Sequence, residues 1–324
     1  MKQRGIFGVS ALALGLVGVS PAMALATPAG TNGQIAWQRE ATNAPPHLWV
    51  ANPDGSLARE VFAEDDAATF EAAFSPVNAG GLAFTRATEK PFSDEIFLGE
   101  LATGQVRRLT NSKNASIAPT FSPDGARIAF FSVRAPRGKR PPGLERIAVM
   151  NLDGTGRRFL TPKNRSSFDP DFSPDGTRIA YNESRPAGHS GVDNRLMVMN
   201  VDGSGRRAVT AYGGRREINP KWLPDGSGLV FESLNRRSLR SDIERIGLDG
   251  SGRRPVLATP AFETNPVPSP DGTRIVFTSD RDRRGPTRAG PGFEVYTMKV
   301  DGTDIVRLTT NKEPDLFPDW QRLP

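Results

Sequence analysis

From residue 31 onward the chain is a succession of short apolar runs broken by polar turns, and no stretch sustains a helical period. One kind of run reads Arg127-Ile128-Ala129-Phe130, Arg178-Ile179-Ala180-Tyr181, Gly228-Leu229-Val230-Phe231 and Arg274-Ile275-Val276-Phe277. A second kind, such as Arg146-Ile147-Ala148-Val149-Met150 or Arg195-Leu196-Met197-Val198-Met199, runs into an Asp-Gly pair: Asp54-Gly55, Asp153-Gly154, Asp202-Gly203, Asp249-Gly250 and Asp301-Gly302. A third opens on paired arginines, as in Arg157-Arg158-Phe159-Leu160-Thr161. Runs of about 4–8 β-branched and aromatic residues between Asp-Gly turns are strands in hairpins, because glycine reaches positive φ without strain and aspartate caps the turn.

A phrase preceding the first kind of run supplies the period. It reads FSPVN at Phe74–Asn78, FSPDG at Phe121–Gly125 and Phe172–Gly176, WLPDG at Trp222–Gly226 and PSPDG at Pro268–Gly272. Its prolines stand at 76, 123, 174, 224 and 270, so the steps are 47, 51, 50 and 46 residues. Four strands repeated at that length describe a propeller blade. The ends of the chain complete the count. Gly33–Trp37 matches the strand that follows the Pro-Asp-Gly turn, and Asp315–Trp320 matches a first strand such as Ser167–Phe172 with nothing after it. The pattern predicts an all-β, six-bladed β-propeller of four antiparallel strands per blade, with the C-terminal strand pairing into the N-terminal unit to close the ring. Closure of that kind leaves no free sheet edge at the join.

With strands labelled A to D outward from the axis, the uniform A–B and C–D turns share one face. The opposite face carries the B–C loops Ser132–Leu144, Asn182–Asn194, Glu232–Asp242 and Ser279–Gly292, which vary in length and sequence. Loops on a rigid scaffold are where binding residues concentrate, so this variable face is the expected binding face.

Residues 1–26 have the form of a secretory leader: Lys2 and Arg4, an apolar stretch from Ile6 to Val19, then small residues at Ala22, Ala24 and Ala26. The stretch is short for a membrane span of about 20 residues. The expected mature product is a single propeller over 27–324, exported to the periplasm or beyond, monomeric and without stable membrane insertion. The chain has no cysteine, so neither disulfides nor a lipidated cysteine enter the reading. Net charge is +6, or +4 once Lys2 and Arg4 are removed. Much of the basic excess is the arginine pairs that open strand D, where charge guards an outer edge. No basic tract is interleaved with aromatics as a nucleic-acid surface requires, so nucleic acid is not an expected partner.

Two groups of residues remain as candidates for binding. The segments entering the channel carry Asp169, Glu217, Asn219, Glu263, Asn265 and Asp315, a polar and partly acidic mouth. The B–C loops add Arg134, Arg137, Arg236, Arg240, Arg281 and Arg284, a basic rim. Together they could steer a protein of complementary charge; alone, each is an ordinary solvated loop. No catalytic motif accompanies them: there is no G-x-S-x-G, and the two histidines, His47 and His189, fit no metal-ligand spacing. Asp169, Asp171 and Asp175 leave a structural calcium as an alternative to no cofactor, although their spacing departs from the EF-hand loop.

The repeat, x-x-Pro-x-Phe-Ser-Pro-Asp-Gly-x-Arg-Ile-Ala-Phe followed by Met-x-x-Asp-Gly-x-x-x-Arg-x-Leu-Thr, resembles the WD-like propeller repeat of the TolB family over roughly 31–322. That resemblance implies an exported, non-enzymatic propeller that binds a protein or peptide of the cell envelope; in the Tol–Pal system the propeller binds an envelope lipoprotein at one mouth. TolB also carries an N-terminal α/β domain that meets an inner-membrane partner, and here only a few residues separate the leader from Gly33. Similar repeats occur in polysaccharide lyases and in the propellers of prolyl oligopeptidases. An envelope glycan-binding or polysaccharide-acting protein is therefore the alternative reading, with the mouth carboxylates and His189 as its candidates.

Overall fold

The computed structural model describes residues 30–41, 43–63, 67–88, 94–135, 144–186, 192–213, 215–235, 240–282 and 292–323. Strands β1 to β24 form six four-stranded antiparallel sheets, the blades of a six-bladed propeller, and among the described residues there is no helix. Blade 2 spans 69–108, blade 3 spans 114–159, blade 4 spans 166–208, blade 5 spans 216–257 and blade 6 spans 263–307. Blade 1 joins the two ends of the chain: β24 (Asp315–Leu323) is its innermost strand and pairs with β1 (Thr31–Arg39). The join is reinforced at its edge. Arg39 donates twice to Asp315, at 2.7 and 2.9 Å, and its guanidinium lies 4.0 Å from the Trp49 ring centre.

The hydrophobic core is divided among the seams between blades. Ala129, Ile147, Val149 and Leu160 of blade 3 meet Phe172, Ile179, Tyr181, Met197 and Met199 of blade 4. Five further clusters repeat this arrangement around the ring, ending with Ile35, Trp37, Ala51 and Trp320 of blade 1 against Val276 and Val295 of blade 6. The alternation in the second strand explains the pattern. Ile128 and Phe130 face the preceding blade, whereas Ala129 faces the next one, so a bulky face always meets a slim one.

Two of the repeated dipeptides hold the blades in place. In Asp-Gly turns the carboxylate accepts the N–H two residues on, at 2.8 Å for Asp153 and Asp202, and the glycine sits at φ between 83° and 88°. A Cβ on Gly154, Gly203 or Gly250 would come within 3.0 Å of the carbonyl oxygen of Leu109, Leu160 or Val209 in the preceding blade. Glycine there sets the distance between neighbouring blades as well as the turn. The threonine that ends the basic run turns back onto its own sheet: the hydroxyls of Thr110, Thr161, Thr210 and Thr309 accept from the N–H of Ile96, Ile147, Leu196 and Val295 at 2.9–3.0 Å.

Candidate functional site

The innermost strands are β4 (Thr69–Phe74), β8 (Asn114–Phe121), β12 (Ser166–Phe172), β16 (Arg216–Trp222), β20 (Glu263–Pro268) and β24. Each slips register against its partner once within the strand, and β24 slips a second time near its end against β1. The slip is a bulge at Glu71, Ala118, Asp169, Asn219, Asn265 and Phe317, all held at φ between 51° and 54°. In five of the six the next residue is proline (Pro119, Pro170, Pro220, Pro266 and Pro318), which has no N–H to give the ladder and so favours a break there. The preceding blade caps the freed N–H groups: Glu71 donates to Gln38 Oε1 at 3.3 Å and Ala118 to Thr85 Oγ1 at 3.1 Å.

From these bulges to the A–B turns, the six strands enclose an axial cavity of about 280 Å³. Its rim is a ring of the repeat prolines, Pro76, Pro123, Pro174, Pro224 and Pro270, with Arg322 in the sixth place. Glu71, Asp169, Asn219, Asn265 and Phe317 line its inner end, and Ala73, Thr120, Asp171, Lys221, Val267 and Asp319 form the ring between. The cavity therefore lies toward the short, uniform turns, at the end of the channel away from the B–C loops.

Two members of the middle ring also clasp neighbouring blades. Asp171 accepts the Trp222 N–H and Asp319 the Phe74 N–H, each at 2.8 Å. Lys221 occupies the equivalent place in blade 5, where a donor can stand because the next strand presents Pro268, which has no N–H to satisfy. Lys221 Nζ instead approaches Asp171 Oδ1 at 3.5 Å.

Burial dominates the electrostatics of this wall. It pushes Glu71 up to about 8, with help from the Asp169 charge, and it pushes Asp169 and Asp319 up to about 6 against the pull of Lys221. Asp171 is raised for the same reason. Burial alone would lower Lys221, but Asp171, Asp319 and Asp169 outweigh it and raise its pKa. Burial thus favours the neutral form of Glu71, and its Oε2 is shut off from solvent with no hydrogen-bond partner.

The six mouth residues named from sequence separate into two sets. Asp169, Asn219 and Asn265 come together on the cavity wall. Glu217, Glu263 and Asp315 do not: they are 3%, 0% and 0% exposed and lie in the body of their blades. Glu217 pairs with Arg253 and accepts from Thr210; Glu263 accepts from Arg281 at 2.7 Å and Thr259 at 2.6 Å; Asp315 holds Arg39. Arg281 is consequently a pin inside blade 6, its guanidinium stacked near Phe277 and Tyr296, and not a free rim cation. Arg134 and Arg240 are exposed at the loop end of blades 3 and 5. Arg137, Arg236, Arg284, His189 and residues 1–26, which the sequence reads as a leader, lie outside the described residues. His47 sits beside Glu60, Nδ1 to Oε1 3.0 Å.

Glu71, Asp171, Lys221 and Asp319 were not among the sequence candidates. The available signal was the place of Asp171, Lys221 and Asp319 immediately after the proline of their innermost strands; Glu71 is followed by Ala72 and had no such mark. Asp175, the third residue of the candidate calcium loop, is occupied by its own turn, accepting from Thr177 N at 3.0 Å and from Ser173 Oγ at 2.5 Å. Among the described residues no three His, Cys, Asp or Glu side chains converge to hold a metal ion, and no helix is long and apolar enough to cross a membrane.

A closed ring of short-turned blades around a charged axial cavity defines the class as a repeat propeller whose inner strands carry the site. The chain belongs to the TolB β-propeller domain family, whose profile matches residues 138–322. It is 27% identical over 229 residues to the Tol-Pal system protein TolB of Francisella tularensis subsp. mediasiatica, covering 69% of this chain and 48% of that protein. It is also 27% identical over 239 residues to a TolB homolog of Chlorobium luteolum, covering 70% and 48%. The chain thus spans about half the length of the curated relatives it matches. The crystal structure of TolB from Acinetobacter baumannii superposes with a TM-score of 0.68 at 20% identity, over 89% of this chain and 66% of that one, a likeness of fold.

Proposed function

We propose that this protein is an exported, non-enzymatic scaffold that binds a protein or peptide of the cell envelope at a mouth of its propeller. The observation that carries the reading is the axial cavity, built at equivalent positions of all six blades and rimmed by the prolines that define the repeat. Family membership and the Tol-Pal relatives support an envelope setting. Rigid inner strands present the cavity with little conformational cost on binding, which favours recognition of a segment that inserts from outside. The variable B–C loops at the other end offer a second place for a partner to dock.

The test is capture from the host's own envelope extract with three immobilised forms: the mature chain, a form with shortened B–C loops, and Thr120→Trp, which fills the cavity. The reading predicts an envelope protein retained by the first form and lost from one of the others, which also tells which mouth is used. Equal recovery, or none, from all three would defeat it.

A second reading rests on the paired perturbation of Glu71 and Asp169. A carboxylic acid beside a carboxylate in a cavity is the arrangement that glycoside hydrolysis employs. An envelope glycan-acting enzyme built on that pair would lose turnover in Glu71→Gln, whereas a binding scaffold has none to lose.

A further inference from the structure

Much of the cavity wall lacks charge compensation. Glu71, Asp169, Asp171 and Asp319 face the space, with Lys221 among them and Arg322 at the rim. Asp171 and Asp319 are held by backbone N–H groups of the next blade, and Asp169 by Asn182 Nδ2 at 2.8 Å. Glu71 Oε2 has no hydrogen-bond partner, although the Ala118 N–H lies against the same carboxyl. Four carboxyl groups against one lysine leave the cavity short of positive charge, and a cationic donor from outside gains most where solvent is excluded.

The face around that opening is apolar in an uneven way. Beyond the proline rim, Leu57, Val77 and Ile305 are 79%, 60% and 37% exposed, on turns of three consecutive blades, 1, 2 and 6, on the cavity's side of the ring. Leu57 is the apolar one of two non-glycine residues at its turn position, the other being Asp304 of blade 6 at φ 53°. Leu57 sits at φ 55°, where blades 3, 4 and 5 place Gly156, Gly205 and Gly252 at φ 62–66°. A leucine in the left-handed region costs about 1–2 kcal/mol, and this one gains little burial in return. An exposed apolar side chain kept at a strained position is a contact waiting for a surface.

Resting on the scaffold reading above, we propose that the cavity takes a lysine or arginine side chain of the partner, presented by an apolar segment that lies across the turn face. The basic head reaches Glu71 and Asp169 at the inner end, its methylene stem passes the proline rim, and the flanking apolar residues cover Val77 and the neighbouring turns. A long amphipathic side chain suits this geometry, since its stem packs against apolar walls while its head pairs with carboxylates.

A random heptapeptide display library selected on the whole mature protein tests this directly, with Glu71→Gln/Asp169→Asn and Ala73→Arg as parallel targets. The second variant places a guanidinium in the cavity from the protein's own wall, so it blocks the site without removing a carboxylate. Peptides enriched on the wild type are expected to carry Lys or Arg between apolar residues and to be lost from both variants. A synthetic peptide of the enriched sequence, titrated by the fluorescence of Trp222 and Trp320 on the cavity wall, should bind about tenfold or more weakly when its basic residue becomes norleucine, as expected for a charge-assisted hydrogen bond. Enrichment of cavity-dependent peptides without a basic residue overturns this inference and leaves the scaffold reading standing. Absence of any cavity-dependent peptide overturns the inference too, and with capture equal in all three forms it removes both.

Discussion

Glu217 and Lys221 stand four residues apart on one strand and belong to different parts of the molecule. Glu217, like Glu263 and Asp315 in the next two blades, is buried and paired with an arginine of its own blade. Lys221, with Asp169, Asp171, Asp319 and Glu71, faces a cavity in which four carboxyl groups meet one lysine. The first set fixes one blade's geometry and leaves nothing for a ligand. The second leaves charge unsatisfied in a space large enough to admit one. Burial is common to both, so an arginine partner within the blade, not depth, separates the structural carboxylates from the candidate binding ones.

Removing a partner from the paired set should have the largest effect. Asp315→Ala strands the half-buried Arg39 guanidinium at the ring closure, and it should cost about 3 kcal/mol or more of unfolding free energy by urea denaturation. A loss below about 1 kcal/mol would mean that the ion pair adds little to closure. In the cavity the effect should be smaller and should depend on pH. Glu71 holds its proton more tightly folded than unfolded, so its contribution is fully favourable below the ordinary value of 4.5 and fades as pH rises to about 8. The Glu71→Gln variant should therefore gain on the wild type between pH 5 and 9, by up to a few kcal/mol, seen as diverging urea midpoints. Parallel midpoints across that range would place the carboxyl in contact with solvent. The smallest change is on the rim. Leu57→Gly relieves the left-handed leucine at some cost in chain entropy, so it should raise stability by about 0.5 kcal/mol while weakening the docking proposed for the turn face. Unchanged binding by the selected peptide would remove Leu57 from that surface.

The two ends of the channel differ as well. The loop end attracts attention in the sequence because its segments vary, and it carries Arg134 and Arg240 exposed at strand ends. The turn end is monotonous in sequence, yet its repeated prolines line the cavity. Residues that recur for architectural reasons can build a site when six copies converge on an axis, and single-chain variability does not reveal it.

The architecture was legible because it is periodic. The Pro-Asp-Gly and Asp-Gly turns fix hairpins through local φ preferences, their spacing fixes the blade, and the half-units at Gly33–Trp37 and Asp315–Trp320 fix the number of blades and the closure, all without long-range information. The site was only half legible. Strand alternation alone would place Glu217, Asn219 and Lys221 on one face. The left-handed bulge at Asn219 turns the chain between them, so that Glu217 meets Arg253 while Asn219 and Lys221 line the cavity. By itself, then, the sequence determined the blade, the ring and its closure, because local turn chemistry and period carry them. Which carboxylates are paired and which face the axis was decided only by the tertiary structure, since an arginine some 36 residues away and five other strands settle it.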